Sequence, residues 1–398
     1  MLACAGCVDQ ERQVGGIPVQ PRPVEPSVQA DAVAKSINAL TFQLIQRTGT
    51  PSDQNVLISP YSISTALSTV VPGALAQDRL TLLGVLAPRT PEDAVMTGSR
   101  DLSHLMMSAA GEPLKIANSV WSFRSMDVNP SYIQDLKNYF SADVRQFDRN
   151  PSSVNDINAW VDEKTKHRIP SIIQQIKPSD RLFLINAIAF DGTWVMQFDP
   201  KETTTSEFHS PAGDVQAPIM HVKGEVPYFK DAELRAVKLN YEGGDFSMLL
   251  MLPEHGKDAG ALLRALSAER VSAVVNGLSN INQVLVALPK FKFSDEYQLK
   301  QPLSDMGMQS LFEHANLGGI SKELEENGFI DEVIHKTFIE VDEKGTKAAA
   351  ATAVRIGITS VQLDPPQFIA DRPFAFLILH NPTKAIIFAG VVNDPTKD

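Results

Sequence analysis

The residue types that perform catalysis are present in this chain, but they do not stand at the spacing of known catalytic sites. The sequence has no G-x-S-x-G elbow, no H-E-x-x-H pair, no P-loop and no G-x-G-x-x-G turn. Its eight histidines are scattered, and no two are three or four residues apart, so a helical metal site is not supported. We therefore predict a protein that is not an enzyme and needs no metal or other cofactor. A hydrolase with a cryptic Ser/His pair stays open as an alternative, and turnover without consumption of the protein would reveal it.

The two cysteines, Cys4 and Cys7, lie at the start of the chain. A C-x-x-C pair can do redox chemistry, but no strand-helix unit surrounds this one. The opening MLACAGC instead resembles the end of a bacterial lipoprotein signal, in which two small residues precede the acylated cysteine. The next stretch, VDQERQVGGIPVQPRPVEPSVQ, is rich in proline and indicates a linker. We predict a signal remnant and linker over residues 1–30, lipidated at Cys7 or Cys4, on a bacterial surface or in the extracellular space; an incidental start is the alternative.

A stretch near the C-terminus, EKGTKAAAATAVRIGITS over residues 343–360, combines a run of alanines with glycines and β-branched residues. Its alanines favour a helix, whereas its glycines and its strand-like flanks oppose one. Read as an extended segment, it would place both of its charges between 346 and 357, Lys347 and Arg355, on one face. The other face would carry only uncharged side chains: Thr346, Ala348, Ala350, Thr352, Val354 and Ile356. Composition leaves loop, helix and strand open, which suits a conformational switch.

Composition narrows the class of protein. The chain has 398 residues, of which 43% are hydrophobic and 21% charged, as expected of a globular protein with a sizeable core. The formal net charge is −11, and no basic cluster offsets it, which argues against nucleic-acid binding. No apolar run approaches the roughly 18 to 20 residues that a membrane-spanning helix needs.

Periodicity predicts helices in the first half of the chain and strands in the second. Apolar residues recur at helical spacing over 32–46, and Ser59 is placed to cap a helix that begins at Pro60. The order is not a regular βα alternation, which favours a mixed α+β fold in one domain over residues 31–398. Further helical patterns cover 76–86, 100–110, 130–140, 153–166 and 258–278, and strand-like runs cover 182–190, 246–252, 284–293, 338–341, 374–379 and 386–392.

Several long motifs, in order and at matching spacing, resemble those of the serpins. They are NVLISPYSISTAL (55–67), INAWVDEKT (157–165), LINAIAFDGTW (184–194), SMLLMLPE (247–254), LPKFKF (288–293), IHKTFIEVDEKGTKAAAAT (334–352), FIADRPFAFLI (368–378) and IIFAGVVNDP (386–395). The resemblance implies a single domain with three β-sheets, eight or nine helices and an exposed reactive-centre loop. It also makes residues 343–360 the hinge and upper part of that loop.

In inhibitory serpins a protease attacks the reactive-centre loop and forms an acyl-enzyme with it. The cut loop then inserts into the central sheet with the protease still attached. A new strand of about ten residues would add on the order of 10–25 kcal/mol of hydrogen bonding, so the uncut fold should be metastable. We therefore predict a protease inhibitor that acts as a suicide substrate, is a monomer and binds no nucleic acid. A non-inhibitory serpin that acts as a carrier or chaperone is the alternative.

The resemblance also transfers site residues by position. The hinge comprises Glu343, Gly345, Thr346, Ala348, Ala349, Ala350, Ala351 and Thr352. The shutter, a polar cluster beneath the central sheet, comprises Ser59, Ser62, Asn186 and His335. The breach, where insertion begins, comprises Trp194, Lys290 and Glu343, with an ion pair expected between the last two.

Counting from Glu343 places the reactive bond at Thr359–Ser360, with Ile358 before it. A small β-branched residue at that bond suits an elastase-like or subtilisin-like serine protease. Ile358 suits a papain-like cysteine protease, which reads the residue before the cut. Arg355 offers trypsin-like proteases another bond, at which cleavage would shorten the inserting strand and favour substrate behaviour.

Overall fold

The helices surround the sheets and lie mostly in the first half of the chain. We describe them from a computed structural model, which covers residues 25–88, 90–326, 328–330, 333–346 and 365–397. The α-helices are α1 (Val28–Thr48), α2 (Pro60–Ser68), α3 (Ala76–Leu86), α4 (Glu92–Met107), α5 (Pro130–Phe140), α6 (Pro151–Lys164), α7 (Ala259–Ala265), α8 (Ala268–Gly277), α9 (Lys300–Leu303) and α10 (Gln309–Glu313). Short 3-10 turns lie at Pro200–Glu202 and Lys322–Leu324, and a π-helical turn joins α9 to α10.

The strands form two hydrogen-bonded networks. They are β1 (Val56–Ile58), β2 (Leu114–Phe123), β3 (Asp143–Phe147), β4 (Leu182–Phe190), β5 (Gly192–Thr193), β6 (Thr204–Ser210), β7 (Gly213–Lys230), β8 (Leu234–Asn240), β9 (Phe246–Pro253), β10 (Ser279–Pro289), β11 (Phe291–Gln298), β12 (Ile334–Asp342), β13 (Gly345–Thr346), β14 (Gln367–Ile369), β15 (Phe374–His380) and β16 (Ile386–Val392).

One network has nine strands in the order β1-β16-β15-β9-β8-β7-β10-β14, with β6 also paired to β7. The long strand β7 pairs with β6 and β10 over most of its length and with β8 over Tyr228–Lys230. Because β7 continues from one group of strands into the other, two of the three expected sheets are joined. The other network has seven strands in the order β3-β2-β4-β12-β13-β5, with β11 on the outer edge of β12.

The local sequence explains the two helices that matter most for the site. The Ser27 hydroxyl caps α1 at the amide of Ala30, so the helix begins four residues before the predicted pattern. Pro60 occupies the first turn of α2, and the Ser59 hydroxyl accepts the amide hydrogen of Ser62. This cap fixes α2 directly after β1, beneath the seven-stranded sheet.

Several predicted boundaries differ from the structure. The pattern at 258–278 is two helices, because the chain turns at Leu266 and Ser267, and the latter caps α8. The run at 284–293 is two strands that belong to different networks, and they meet at Lys290. Strands β2, β3, β6, β7 and β8 were not predicted, because their exposed faces carry mixed polar residues that weaken the alternation.

The core lies between the two sheets and beneath the helices. Every residue of β9, β15 and β16 is buried, as expected of strands covered on both faces. Helix α6 covers the outer face of β2, β3 and β4, where Trp121 meets Trp160 edge to face at 6.1 Å. Among the described helices, none combines the length and apolarity needed to cross a bilayer.

Candidate functional site

The hinge begins in a tight hairpin at one end of the seven-stranded sheet. Strand β12 ends at Asp342, the chain turns through Glu343 and Lys344, and Gly345–Thr346 forms β13. The Asp342 side chain accepts the amide hydrogen of Lys344 at 2.9 Å, which closes the turn. Strand β13 lies antiparallel to β12 on one side and to β5 on the other. The first two residues of the hinge strand are therefore already part of the sheet.

Glu343 holds the turn through three contacts. Its carboxylate accepts from the Lys290 ammonium at 2.9 Å and from the Thr203 hydroxyl at 2.9 Å. Its carbonyl oxygen accepts the amide hydrogen of Phe198 at 2.8 Å. Burial alone would raise the pKa of Glu343, but the hydrogen bonds from Lys290 and Thr203 outweigh it and hold that pKa below its usual value. The carboxylate is therefore charged at neutral pH and fixes the start of the hinge.

Two aromatic side chains form a wall next to β13. Trp194 stacks on Tyr241, with ring centroids 4.3 Å apart and an interplanar angle of 16°. The Tyr241 hydroxyl lies 2.8 Å from the hydroxyl of Thr346, whose side chain is fully buried. The indole of Trp194 donates to the carbonyl of Asp342 at 3.2 Å. The structure thus places Thr346 inward, in a buried position where its hydroxyl is paired with that of Tyr241.

Gly345 lies in β13, directly after the turn formed by Glu343 and Lys344. A Cβ atom at Gly345 would overlap the carbonyl oxygen of Gly192 and lie 2.8 Å from the Cα of Thr193. Glycine is required here because the β5 backbone approaches too closely for any side chain.

Beyond the hinge, β4 and β12 close the middle of the sheet directly. They pair in parallel over four residues each, from His335 opposite Asn186 to Phe338 opposite Ala189. Toward the other end, where β4 begins, the two strands are no longer paired with each other. A cavity of about 270 Å³ lies there, and its lining includes Ile172, Ile173, Leu182, Ile185, Gln298 and Ile334. We call the space between β4 and β12 the slot. Its hinge end holds β13, its middle is closed by direct pairing of β4 with β12, and the cavity lies at its opposite end.

The shutter residues meet beneath the closed middle of the slot. The Ser59 amide donates to Nε2 of His335 at 2.9 Å, and the Ser59 hydroxyl donates to the carbonyl of Ile387 at 2.6 Å. The Ser62 hydroxyl donates to the side-chain oxygen of Asn186. Burial lowers the pKa of His335 to about 3, so the imidazole is neutral and can accept. The segment from Ser59 to Ser62 therefore contacts both strands that border the slot.

The same geometry argues against a Ser/His catalytic pair at the shutter. Nε2 of His335 faces the amide of Ser59, and the Ser59 hydroxyl points away to Ile387. A general base would have to accept from the hydroxyl instead. A serine nucleophile is therefore not activated here.

Some contributing residues were missed by the sequence reasoning. Thr203 and Tyr241 complete the hinge end, and Asn118 accepts from the Asn186 amide beside the shutter. Asp295 and Thr337 bind the backbone of β1. A signal existed for these last two, because each shares the inward face of an alternating strand with buried apolar residues.

Other predicted residues lie outside the described part of the chain. They are the two cysteines, Cys4 and Cys7, and the distal hinge and loop positions Ala348, Ala349, Ala350, Ala351, Thr352, Arg355, Ile358, Thr359 and Ser360.

The fold and this site define a class of protein: an α+β domain whose main sheet contains a slot, with a strand-forming segment seated at one end. Comparison with known proteins identifies the family. Residues 35–395 match the family model described as Serpin (serine protease inhibitor), and the chain belongs to the serpin family. Serpins are mostly protease inhibitors and generally not enzymes, although some members do not inhibit.

Relatives span nearly the whole chain. A serpin-like protein of Thermococcus kodakarensis is 36% identical over 374 residues, which cover 92% of this chain and 87% of that protein. The native-state structure of the thermophilic serpin tengpin is 26% identical with a TM-score of 0.85, over 94% of this chain and 97% of that one. Human thyroxine-binding globulin is 27% identical with a TM-score of 0.82, over 93% and 100%.

Proposed function

We propose that this serpin inhibits proteases as a suicide substrate, by inserting its cut loop into the slot between β4 and β12. The observation that carries the proposal is the position of β13. Gly345 and Thr346 already pair with β5 and β12 in the antiparallel sense that an inserted strand requires. Chain that continued from Thr346 in the same direction would enter the closed middle of the slot.

The exchange of strand pairs favours insertion. Entry of a new strand would break the parallel pairing between Asn186–Ala189 and His335–Phe338. It would replace these four parallel pairs by two antiparallel ladders, one on each side, and antiparallel pairing is slightly more stable per residue. At about 0.5–1.5 kcal/mol net for each hydrogen bond, ten inserted residues gain on the order of 10–25 kcal/mol. That free energy would hold a protease attached to the loop.

The inward surface of the hinge end supports the same proposal. Thr346 is buried, and its hydroxyl is paired with Tyr241, so the first inserted side chain leaves no polar group unsatisfied. If the alternation continues, the next inward residues are Ala348 and Ala350. Small apolar side chains can enter a sheet interior without the cost of burying a charge.

We further propose an extracellular target and an elastase-like or subtilisin-like serine protease as its class. The support is the small β-branched residue at the counted bond, Thr359–Ser360. A lipid anchor at Cys7 or Cys4 would hold the inhibitor at a bacterial surface, and it rests on the resemblance of MLACAGC to a lipoprotein signal.

A carrier function, as the name of thyroxine-binding globulin indicates for that relative, is the second candidate. A carrier needs no strand insertion, so it would tolerate a bulky or charged residue at the hinge. The uncharged inward residue Thr346 and its paired hydroxyl favour the inhibitor.

The test is incubation of the full chain with a panel of serine and cysteine proteases, followed by a denaturing gel and intact-mass analysis of the released peptide. We expect a covalent complex and a C-terminal peptide that begins at Ser360. A peptide that begins at Ile356 would move the bond to Arg355. Cleavage by every protease without any complex would contradict inhibition and favour the carrier.

A further inference from the structure

Strand β1 lies at the edge of the nine-stranded network, and its free edge faces the seven-stranded sheet. One edge pairs with β16, from Val56 opposite Val391 to Ile58 opposite Ala389. An unpaired strand edge leaves backbone donors and acceptors that must find partners when they are buried. Here the partners are side chains from β11 and β12, the strands on one side of the slot.

Three side chains bind two residues of this edge. Asp295 on β11 accepts the amide hydrogen of Leu57 at 3.1 Å, and the Thr337 hydroxyl on β12 donates to the Leu57 carbonyl at 2.9 Å. His335, also on β12, accepts the amide hydrogen of Ser59 at 2.9 Å. We call these three contacts the β1 clamp. It joins the β11–β12 side of the slot to the segment that also carries Ser59 and Ser62.

Asp295 differs from the other clamp residues because it is a carboxylate in a half-buried position. The Tyr297 hydroxyl donates to the same oxygen that accepts from Leu57, at 2.6 Å. Burial raises the pKa of Asp295, although the hydrogen bonds from Tyr297 and from the Leu57 amide act against this. Charge-assisted hydrogen bonds of this kind are about twice as strong as neutral ones.

On the opposite side of the slot, strand β4 reaches the same segment through the hydrogen bond between Asn186 and Ser62. The clamp joins β11 and β12 to β1 through contacts that are separate from the pairing between β4 and β12.

We propose that Asp295, with Thr337, is a positioning residue of the slot: it holds β11 and β12 on β1, so that the slot stays closed until the loop is cut. This inference rests on the proposed function for its consequence, but the clamp itself can be tested without a protease. Its loss should let the middle of the slot open in the intact protein.

The primary test is hydrogen exchange followed by mass spectrometry on the intact full chain. Asp295→Ala should speed exchange in the peptide over residues 55–60 by about tenfold or more, as expected for loss of a charge-assisted bond. Exchange should also rise over 186–189 and 335–338, where the slot is closed. Ser294→Ala is the control, because Ser294 is exposed on the same strand and does not belong to the β1 clamp; we expect it to match wild type within about twofold.

A pH series separates a charged clamp from a packing role. The titratable groups that face Asp295 and its β1 contact are Tyr297 on the same strand and His335 on β12; β1 contributes backbone. After correction for intrinsic exchange rates, wild type should open less as pH falls toward the raised pKa of Asp295, because the closed protein holds the proton more tightly than an opened, hydrated carboxyl does. The isosteric Asp295→Asn should have a flatter profile, and Thr337→Val should speed exchange at 55–60 without flattening it.

Outcomes in the two assays are distinguishable. If the Asp295→Ala variant exchanges like Ser294→Ala, or the asparagine variant keeps the wild-type pH profile, the clamp assignment is wrong. If the alanine variant does not fold, Asp295→Asn and Thr337→Val still decide.

If no protease is trapped by wild type, the proposed function fails, while the exchange result stands unaffected. If protease is trapped, the cut loop should enter the slot several-fold faster in the clamp variants, because the middle of the slot opens more readily, and an unchanged rate of insertion would overturn the assignment of Asp295 to the slot.

Discussion

The hinge end and the middle of the slot are held by different interactions. At the hinge end, a carboxylate, an ammonium and three hydroxyls lie at the turn and at β13, and Lys290 is 38% exposed. In the middle, the shutter contacts are buried and uncharged: a neutral imidazole, serine hydroxyls and amides below four pairs of backbone. The hinge end already contains a short inserted strand, whereas the middle contains none.

For the proposed mechanism, this difference indicates where insertion would be controlled. The hinge end already holds β13, so the proposed insertion would extend an existing strand. Its barrier would lie at the closed middle, where four residue pairs and the shutter contacts must separate together. Substitutions at the hinge end should change whether the strand can enter, and substitutions in the middle should change how readily the sheet opens.

The largest effect is expected from Thr346→Arg. The guanidinium would have to enter a buried position beside Tyr241, where the described residues offer no carboxylate contact to the Thr346 side chain. Because burial of an unpaired charge costs several kcal/mol, insertion should stall, and the protease should cut the loop and leave. We expect at least about a tenfold rise in the number of molecules cleaved for each protease trapped, measured by titration of residual protease activity.

Thr205→Arg is the matched control for this substitution, because Thr205 is an exposed threonine on β6. It should trap protease as wild type does. Equal trapping by Thr346→Arg would mean that the buried position of Thr346 in the uncut protein does not limit insertion.

The next effect is a loss of stability in acid. The folded protein lowers the pKa of His335 from 6.5 to about 3, so only the unfolded chain takes up this proton between those values. The stability that the neutral imidazole contributes is complete above pH 6.5 and falls as pH decreases, by up to about 1.4 kcal/mol per pH unit. Denaturant unfolding at several pH values should show a shallower decline for His335→Gln than for wild type.

His380 is a useful comparator, because burial lowers its pKa from 6.5 to about 4, and it lies in β15, away from the slot. His380→Gln should also flatten the acid decline. Only His335→Gln should change the exchange of the backbone at 186–189, since only His335 borders the slot. An equal effect of both variants there would remove the distinction between the middle of the slot and the rest of the core.

The smallest effect is expected at the ion pair of the hinge end. Lys290 and Glu343 are 2.9 Å apart, but Lys290 is more than a third exposed, so solvent screens the attraction. A double-mutant cycle with Lys290→Met and Glu343→Gln should give a coupling of about 0.5 kcal/mol in unfolding. A coupling above about 2 kcal/mol would make the hinge end as strongly locked as the middle.

The fold class was predictable because the serpin motifs run nearly the whole length of the chain, and the family match over 35–395 confirms it. The sequence could not show how many hinge residues are already paired within the sheet. That depends on the approach of β5 to Gly345, and on Tyr241, which is 105 residues from Thr346 in the chain. Local propensity contains no information on such distant contacts.

The clamp illustrates the opposite case, in which a local signal was present. The strand FKFSDEYQ alternates, so Asp295 shares a face with Phe291 and Phe293. A carboxylate on an inward face must find donors, and the alternation alone points to it. The sequence alone could not show that the donor is the Leu57 amide, because Leu57 lies 238 residues from Asp295 in the chain.

The central claim is that the uncut protein is held short of its most stable arrangement by the closed middle of the slot. The direct measurement is thermal unfolding before and after a single cut in the loop, on purified full chain with both fragments retained. With about 2.1 cal/mol/K of unfolding entropy per residue, a gain on the order of 10–25 kcal/mol should raise Tm by roughly 10–30 °C. An unchanged or lower Tm after the cut would contradict the account.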